Sequence, residues 1–390
     1  MHVLSIHNAY KIRGGEDESR QAEERLLREH GHHVEVYEEH NDRVDTLSRL
    51  QVAAKTIWSR EAYTTVTEKL KSRPCDLVHI QNFFPLISPS VHYAAQNLGV
   101  PVIQTLRNYR LLCPNGLFFR DGQVCEDCLG KAIPYPGVVH RCYRDSLAAS
   151  GMTTAMLVVH RMLQTWTNQV DAFITLTEFA RQKLIEGGLP GEKIHVKPNF
   201  VHPDPGVGTG SGGYAVFVGR LSVEKGLDTL LAAWEKLGGA IPLKIIGDGP
   251  LSSEVEAAVD RIPNVTGLGR RPMKEVYDIV GEAKFLVFPS KWYETFGRVA
   301  VEAFAKGTPV IAANIGAIAE LVEDDRTGLH FQPGNAEDLA ATVERAIANP
   351  ELLQGMRSVV RQEYEQKYTA EANYRRLMEI YEFVCPKTVS

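Results

Sequence analysis

The sequence predicts an α/β protein with two doubly wound parallel sheets. Short apolar runs alternate with helix-length amphipathic segments through the first half of the chain, and the same alternation begins again near residue 214. Strands separated by helix-length segments are typical of βαβ units, whose strands lie parallel in one sheet. Two such series predict two domains that face a cleft, where ligands bind at the carboxyl ends of the strands.

Each element follows from its local pattern. In the first half the predicted strands are HVLSIH, HVEVY, DLVHI, VPVIQTL and DAFITLT, and the helix EDESRQAEERLLREH is ended by Gly31. In the second half the strands are YAVFVG, LKIIG, NVTGLG, FLVFPS and PVIAA, and the helices are LDTLLAAWEKL, LSSEVEAAVD, KEVYDIVG and RVAVEAFAK. One long helical pattern, AEANYRRLMEIYEFV, comes last.

Chain length and one flexible stretch set the expected domain boundaries. A chain of 390 residues is longer than one hydrophobic core usually serves, so two domains of roughly 150–200 residues each are expected. The stretch PDPGVGTGSGG at 203–213 has the composition of a linker. We therefore expect an N-terminal domain over 1–203 and a C-terminal domain over 214–369. The helix within 370–390 is expected to pack back on the first of these.

Composition and charge exclude several classes of protein. Hydrophobic residues make up 44%, charged residues 23%, and the net charge is -5, which is typical of a soluble globular protein. A dedicated nucleic-acid binder would carry a basic excess. The sequence shows neither an 18-residue apolar run nor a signal-peptide pattern. Six cysteines in such a chain indicate a reducing compartment, so we expect a cytoplasmic protein without a nucleic-acid partner.

The loop GRLSVEKG follows the first strand of the second series. Its glycines, Gly219 and Gly226, allow a ligand to approach the backbone, and Arg220 and Lys225 carry charges that suit a diphosphate. A solvent-exposed loop with surface ion pairs is an equally good interpretation of this motif alone. The corner GDGP at 247–250 is not the GxGxxG fingerprint of a dinucleotide site.

The stretch KWYETFGRVAVEAFAKGTPVI contains two glutamates with seven residues between them, Glu294 and Glu302. Gly297 precedes a predicted helix whose first-turn N–H groups suit phosphate oxygens. Glu294 is placed to accept hydrogen bonds from sugar hydroxyls. Glu302, deeper in the helix, is a poor general base and is better suited to hold a ribose diol. Taken alone, this feature favours an exposed helix glutamate at position 302.

This block resembles glycosyltransferase family 4, whose enzymes have the GT-B fold of two Rossmann-like domains and retain configuration at the transferred sugar. ETFGRVAVE matches the E-x7-E motif of the family, GRLSVEKG its diphosphate grip, GTPVIAA its G-x-P-V-I strand, and DDRTGLHFQPGNAEDLA its C-terminal tail. The resemblance covers 190–385 and, more loosely, the first half. There HNAYKIRGGED looks like the Gly-Gly donor loop of the family.

The resemblance implies a role for each matching residue. Arg220 and Lys225 would bind the donor diphosphate, Glu302 the ribose and Glu294 the sugar ring. Gly14 and Gly15 would close over the diphosphate from the other domain. The implied donor-binding set is Gly14, Gly15, Gly219, Arg220, Lys225, Gly269, Thr295, Phe296, Gly297 and Glu302. The implied catalytic set is Glu294, Arg220, Lys225 and Arg107.

The resemblance also implies the reaction. The enzyme would move a hexosyl group from a nucleotide-diphosphate sugar, with a UDP-sugar as the expected donor, to a glycan or lipid-linked sugar acceptor in bacterial polysaccharide biosynthesis. Catalysis would need no metal or other cofactor, since cations and a helix dipole would stabilise the leaving diphosphate. A lipid-linked acceptor would place the protein peripherally at the inner face of the membrane.

One position departs from the family pattern. Members often carry a histidine, as LHD or LHN, after an N-domain strand, whereas this chain has TLRNYRLLCP with Arg107 at that place. An always-charged guanidinium cannot copy a neutral imidazole. Arg107 would add to the grip on the departing phosphate or bind an acidic acceptor. Alternatively, the protein is a donor-binding but catalytically weak partner subunit; a GT-B nucleotide-sugar epimerase is a third interpretation.

Four cysteines are spaced as C-x11-C-x2-C-x13-C, namely Cys113, Cys125, Cys128 and Cys142. One C-x2-C doublet with two single cysteines fits a tetrahedral structural zinc site, with His140 as a spare ligand. Reduced cysteines packed as small hydrophobic residues, or a disulfide formed during purification, explain the same pattern.

Overall fold

The computed structural model describes residues 1–11 and 14–386. The chain divides into two compact units. The first consists of residues 1–118, 125–198 and those from 373 onward, and the second of 199–372 together with 119–124. In the described residues each unit is built on a six-stranded sheet whose strands all pair in parallel, which confirms the predicted α/β fold with two doubly wound sheets.

The elements up to residue 198 build the sheet of the first unit in the strand order β2-β1-β3-β4-β7-β8, while β5 and β6 form a short antiparallel pair. Their bounds are β1 (His2–Ala9), α1 (Gly15–Glu29), β2 (His33–His40), α2 (Arg49–Ile57), α3 (Arg60–Ser72), β3 (Leu77–Asn82), α4 (Ser90–Gln96), β4 (Val102–Thr105), β5 (Phe119–Arg120), β6 (Gln123–Val124), α5 (Pro136–Val139), α6 (Leu147–Met162), α7 (Thr165–Asn168), β7 (Ala172–Thr175), α8 (Glu178–Glu186) and β8 (Ile194–Val196).

The elements from residue 199 onward build the sheet of the second unit in the order β11-β10-β9-β12-β13-β14, except that most of the last helix belongs to the first unit. Their bounds are β9 (Ala215–Val218), α9 (Leu227–Leu237), β10 (Leu243–Ile246), α10 (Ser252–Arg261), β11 (Val265–Gly269), α11 (Met273–Glu282), β12 (Phe285–Phe288), α12 (Arg298–Ala305), β13 (Val310–Ala313), α13 (Gly316–Leu321), β14 (Gly328–Phe331), α14 (Ala336–Ala348), α15 (Pro350–Lys367) and α16 (Ala370–Val384).

The sheet cores explain the continuous apolar runs of the sequence. Every residue of β12 and β13 is buried, as expected for central parallel strands covered by helices on both faces. In the first unit, α16 contributes Leu377, Ile380 and Tyr381 to a core that also contains Val3 and Leu77. The last helix is thus part of the first unit's core.

The strand order of each unit creates a topological switch point. In the second unit β9 lies between β10 and β12, and in the first unit β1 lies between β2 and β3. Loops that leave the carboxyl ends of the strands on either side of such a point diverge and leave a crevice, which is where open α/β sheets bind ligands. In the second unit these are the loops after β9 and β12.

None of the helices in the described residues is both long and apolar enough to cross a bilayer. Peripheral contact with a membrane surface stays a prediction.

Candidate functional site

The loops after β9 and β12 lie against each other at the switch point of the second unit. Gly226 ends the first loop with a φ of 70°, and a Cβ added there would lie 1.8 Å from the carbonyl oxygen of Pro289 in the second loop. A side chain at 226 would therefore force the loops apart. The backbone N–H of Lys291 donates to the carbonyl of Glu224 at 2.9 Å and joins them.

Lys225 and Glu294 form an ion pair between these two loops. The Nζ of Lys225 lies 2.5 Å from Oε1 of Glu294, and the hydroxyl of Ser290 donates to the same oxygen at 2.8 Å. The ammonium also lies 5.8 Å from the ring centre of Phe288 and 5.6 Å from that of Trp292. The Lys225 side chain is 23% exposed and that of Glu294 only 9%. A cation is therefore held at the crevice by a carboxylate more deeply buried than itself.

Glu302 lies one turn into α12, near the start of that helix. The helix begins after Gly297, whose φ of 98° is in the left-handed region. A Cβ at 297 would also approach Cδ1 of Ile318 at 3.1 Å. The carboxylate of Glu302 is buried and lies 2.8 Å from Nε of Arg298. Glu302 is thus not the exposed helix glutamate that the sequence left open.

The other predicted residues of this unit occupy different parts of the carboxyl edge. Arg220 is exposed in the loop after β9 and Thr295 is half-buried. Phe296 is buried with its ring 6.2 Å from that of Tyr368, so its side chain packs internally. Gly269 ends the edge strand β11, two strands away from β9.

Glycines form a row across this edge. The N–H of Gly219 donates to Ile246, and the N–H of Gly247 donates to Gly269, both at 3.0 Å. A Cβ at Gly247, where φ is 145°, would lie 1.8 Å from the carbonyl oxygen of Gly219. The corner GDGP, a weak signal for a redox cofactor in the sequence, is therefore the packing partner of the loop after β9.

Gly14 and Gly15 lie at the switch point of the first unit. Gly14 precedes α1 in an extended conformation, and its N–H donates to a carboxylate oxygen of Asp17 at 3.0 Å. Open space surrounds both glycines. Residues 12 and 13 of the same loop lie outside the described residues. The role of the two glycines in closing over a diphosphate stays a prediction.

Asp17 stabilises this turn as a buried carboxylate. It accepts from Nε2 of His7 at 2.8 Å. Burial opposes ionisation of Asp17, but the hydrogen bonds from His7 and from the backbone of Gly14 outweigh it and lower the pKa of the carboxyl.

Arg107 lies after β4 and is only 9% exposed. Its Nη2 donates to Oε1 of Gln81 at 3.2 Å, and Nε2 of Gln81 donates to Glu23 at 2.6 Å. Glu23 also pairs with Lys197 at 2.6 Å. Burial would raise the pKa of Glu23, but the charges of Lys197, His79 and Arg107 lower it to about 2. Arg107 is thus attached to a buried network that the sequence did not reveal.

The four spaced cysteines form no disulfide bond among the described residues. Cys113 donates to Oδ1 of Asn115 at 3.0 Å, and Cys128 is buried. Burial, together with the other three cysteines of the set, raises the pKa of Cys128 to about 12. In the described residues no group of His, Cys, Asp and Glu side chains is arranged to hold a metal ion. The zinc site stays a prediction.

Sequence reasoning missed several neighbours of the predicted residues. Ser290 shares the oxygen of Glu294 that binds Lys225, and Arg298 pairs with Glu302. The four-residue spacing from Arg298 to Glu302 is a helical signal that could have identified this pair. A serine before a loop carries no comparable signal.

Two family models match the chain. The model described as "Glycosyl transferase 4-like domain" matches residues 20–199, and "Glycosyl transferases group 1" matches residues 210–363. The two matches correspond closely to the two sheets.

Curated relatives and solved structures agree with these models. An uncharacterised glycosyltransferase of Methanocaldococcus jannaschii is 30% identical over 55% of this chain and 60% of its own length. The 2-deoxystreptamine glucosyltransferase of Streptomyces kanamyceticus is 27% identical over 77% of this chain and 75% of its own. The chain spans only 37 to 60% of the first curated relatives that it matches.

The structure of Anabaena HepE in complex with UDP superimposes with a TM-score of 0.70 at 17% identity, covering 97% of this chain and 99% of the other. This likeness shows a shared GT-B fold.

Proposed function

Since the chain is a GT-B protein of glycosyltransferase family 4-like type, we propose that it transfers a sugar from a nucleotide-diphosphate sugar to a glycan or lipid-linked sugar with retention of configuration. The observation that carries this proposal is the Lys225–Glu294 ion pair between the two loops at the switch point. A cation at such a crevice suits a donor diphosphate. HepE, which shares the fold, is described in complexes with UDP and with UDP-glucose, so a UDP-sugar is the proposed donor.

The donor would be held by residues of the second unit. Arg220 and Lys225 bind the diphosphate, and the backbone N–H groups that follow Gly297 face its oxygens. Glu302 accepts two hydrogen bonds from the ribose diol, with Arg298 fixing the carboxylate in place. As the sugar leaves, negative charge accumulates on the diphosphate, and preorganised cations and N–H groups stabilise it.

The proposed transfer step joins the acceptor to the sugar on the face that the diphosphate leaves. The acceptor oxygen forms a bond to the anomeric carbon on the face that the diphosphate leaves, while the bond from that carbon to the phosphate oxygen breaks. The acceptor proton passes to the departing phosphate oxygen. Glu294 is already engaged by Lys225 and Ser290, so its proposed role is to contact the sugar ring rather than to remove a proton.

Nucleotide binding tests the proposal. A nucleotide at about 100 times its dissociation constant stabilises a protein by roughly 2.7 kcal/mol, so we expect a visible rise in melting temperature with UDP and a smaller one with GDP or ADP. No rise with any of the three would contradict the proposed donor site. Binding of UDP without turnover of any UDP-sugar would favour the weak partner subunit, an alternative that the attachment of Arg107 to a buried network keeps open.

Substitution of the two glutamates separates their roles. In Glu302→Gln the donor KM is expected to rise at least roughly tenfold, because a neutral amide makes weaker hydrogen bonds to the ribose than a carboxylate does. In Glu294→Gln the donor KM should change less than kcat. Steady-state kinetics with varied donor measures both. If the pH dependence of the rate is lost in Glu302→Gln while donor affinity stays unchanged, Glu302 is instead a general base.

A further inference from the structure

A small pocket lies within the first unit at the carboxyl ends of β3 and β4. Two arginines, four carboxamides and one hydroxyl make up its polar lining: Arg107, Arg110, Gln81, Asn82, Gln104, Asn108 and Thr105. Among the lining residues that the structure describes, none is acidic. The pocket therefore combines two permanent positive charges with neutral hydrogen-bonding groups.

Neutral partners orient both guanidinium groups. Arg107 donates to the carboxamide of Gln81. Arg110 donates to the carbonyl of Pro114 at 3.0 Å, and its guanidinium carbon lies 4.2 Å from the ring centre of Phe84. Such contacts fix a guanidinium without cancelling its charge.

Two glutamates act electrostatically on Arg107, and neither of them lines the pocket. Glu23, which acts on Arg107 electrostatically, is already paired with Lys197 at 2.6 Å. Burial raises the pKa of Glu16, although His7 and Arg107 oppose this, so Glu16 ionises less readily than an ordinary glutamate. Both arginines thus line a pocket that has no acidic residue among its described lining.

We propose that this pocket binds an anionic group of the acceptor, a carboxylate or a phosphate, through Arg107 and Arg110. The planar fork of a guanidinium matches both groups with two parallel hydrogen bonds. An acidic sugar would supply the carboxylate, and a phosphate-linked lipid carrier would supply the phosphate. The assignment to the acceptor rests on the proposed function, in which the second unit holds the donor.

Small anions test the pocket without knowledge of the acceptor. With the protein saturated by UDP, so that the proposed diphosphate site is filled, D-glucuronate and inorganic phosphate are titrated by ligand-observed NMR. D-glucose serves as the neutral probe. At least one anion is expected to bind tighter than glucose, and the affinity for it is expected to fall at least roughly tenfold in Arg107→Gln, since charge-assisted hydrogen bonds are lost.

Matched variants make the test decisive. Arg49→Gln removes an exposed arginine of the first unit outside the pocket and should leave anion binding unchanged, while Arg107→Lys should restore part of it. Arg110→Gln repeats the test if Arg107→Gln does not fold. Preference for glucuronate or for phosphate identifies the source of the anion. Equal anion affinities in the wild type and the pocket variants, or anions that bind no tighter than glucose, would overturn the proposal.

The two proposals fail differently. If UDP binds but the anion affinities do not depend on Arg107 or Arg110, the pocket assignment is wrong and the donor site stands. If UDP does not bind, the proposed function fails, and the anion titrations, repeated without UDP, still report on the pocket.

Discussion

Replacement of Lys225 by glutamine is expected to lower kcat/KM for the donor by roughly 10²–10³-fold, the usual effect of removing one preorganised charge-stabilising group. The ammonium of Lys225 is partly exposed at the switch point, while Glu294 and Ser290 beneath it are buried. A diphosphate would bring its own charge to this ammonium and compete with Glu294 for it. The leaving group gains negative charge as the sugar departs, so the effect should be larger on the rate than on UDP affinity.

The measurement needs no identified acceptor. Slow release of UDP from UDP-glucose in water reports the rate, and calorimetric titration with UDP reports the affinity. Glutamine is chosen because its amide can still donate to the buried carboxylate of Glu294, which limits the loss of stability. Lys236→Gln is the matched control, since Lys236 forms an exposed pair with Glu337. A Lys225→Gln protein with unchanged UDP affinity and unchanged hydrolysis would exclude Lys225 from the donor site.

The parallel sheets could be predicted because their central strands are buried on both faces and appear as unbroken apolar runs. The edge strands β8 and β14 were missed. β8 has three residues, IHV, of which only Ile194 is buried, and β14, GLHF, has an interior polar residue, His330. Neither pattern distinguishes a strand from a turn.

Individual site residues could be predicted from the sequence, but the residues that they contact could not. The loop GRLSVEKG identified Lys225, but its contact with Glu294 joins residues 69 positions apart, and local patterns contain no information on such a distance. The close contact at Gly226 could not be predicted from the sequence either. Its motif indicated a turn, whereas the structure shows that the carbonyl oxygen of Pro289 excludes any side chain there.

The largest effect on stability is expected from Lys197→Met. Lys197 is 1% exposed; its ammonium lies 2.6 Å from Glu23 and 3.2 Å from Oδ1 of Asn373 in α16. Removal of one member of a buried ion pair leaves the other charge uncompensated, which costs about 3–5 kcal/mol. Chemical denaturation of the two proteins measures the difference in the free energy of unfolding.

A double variant separates the lost ion pair from lost packing. In Glu23→Gln/Lys197→Met neither charge remains buried without its partner, so its loss of stability should be smaller than that of Lys197→Met alone. Lys236→Met, which breaks the exposed pair with Glu337, should change stability by about 1 kcal/mol or less. If the stability losses of Glu23→Gln and Lys197→Met instead add up in the double variant, Lys197 acts through packing and not through the charge of Glu23.

The pH dependence gives an independent check on the same pair. The pKa of Glu23 is about 2 in the folded protein, below its ordinary value of roughly 4.3. The pair therefore stabilises the fold fully above about pH 4.3, and this contribution is lost as the pH falls toward 2. His79, whose pKa burial lowers to about 4, also destabilises the fold, but chiefly as the pH falls from about 6.5 toward 4, before most of the ion pair's contribution is lost. The stability difference between wild type and Lys197→Met should therefore shrink as the pH falls from about 4.3 toward 2, and a constant difference over that range would contradict the lowered pKa of Glu23.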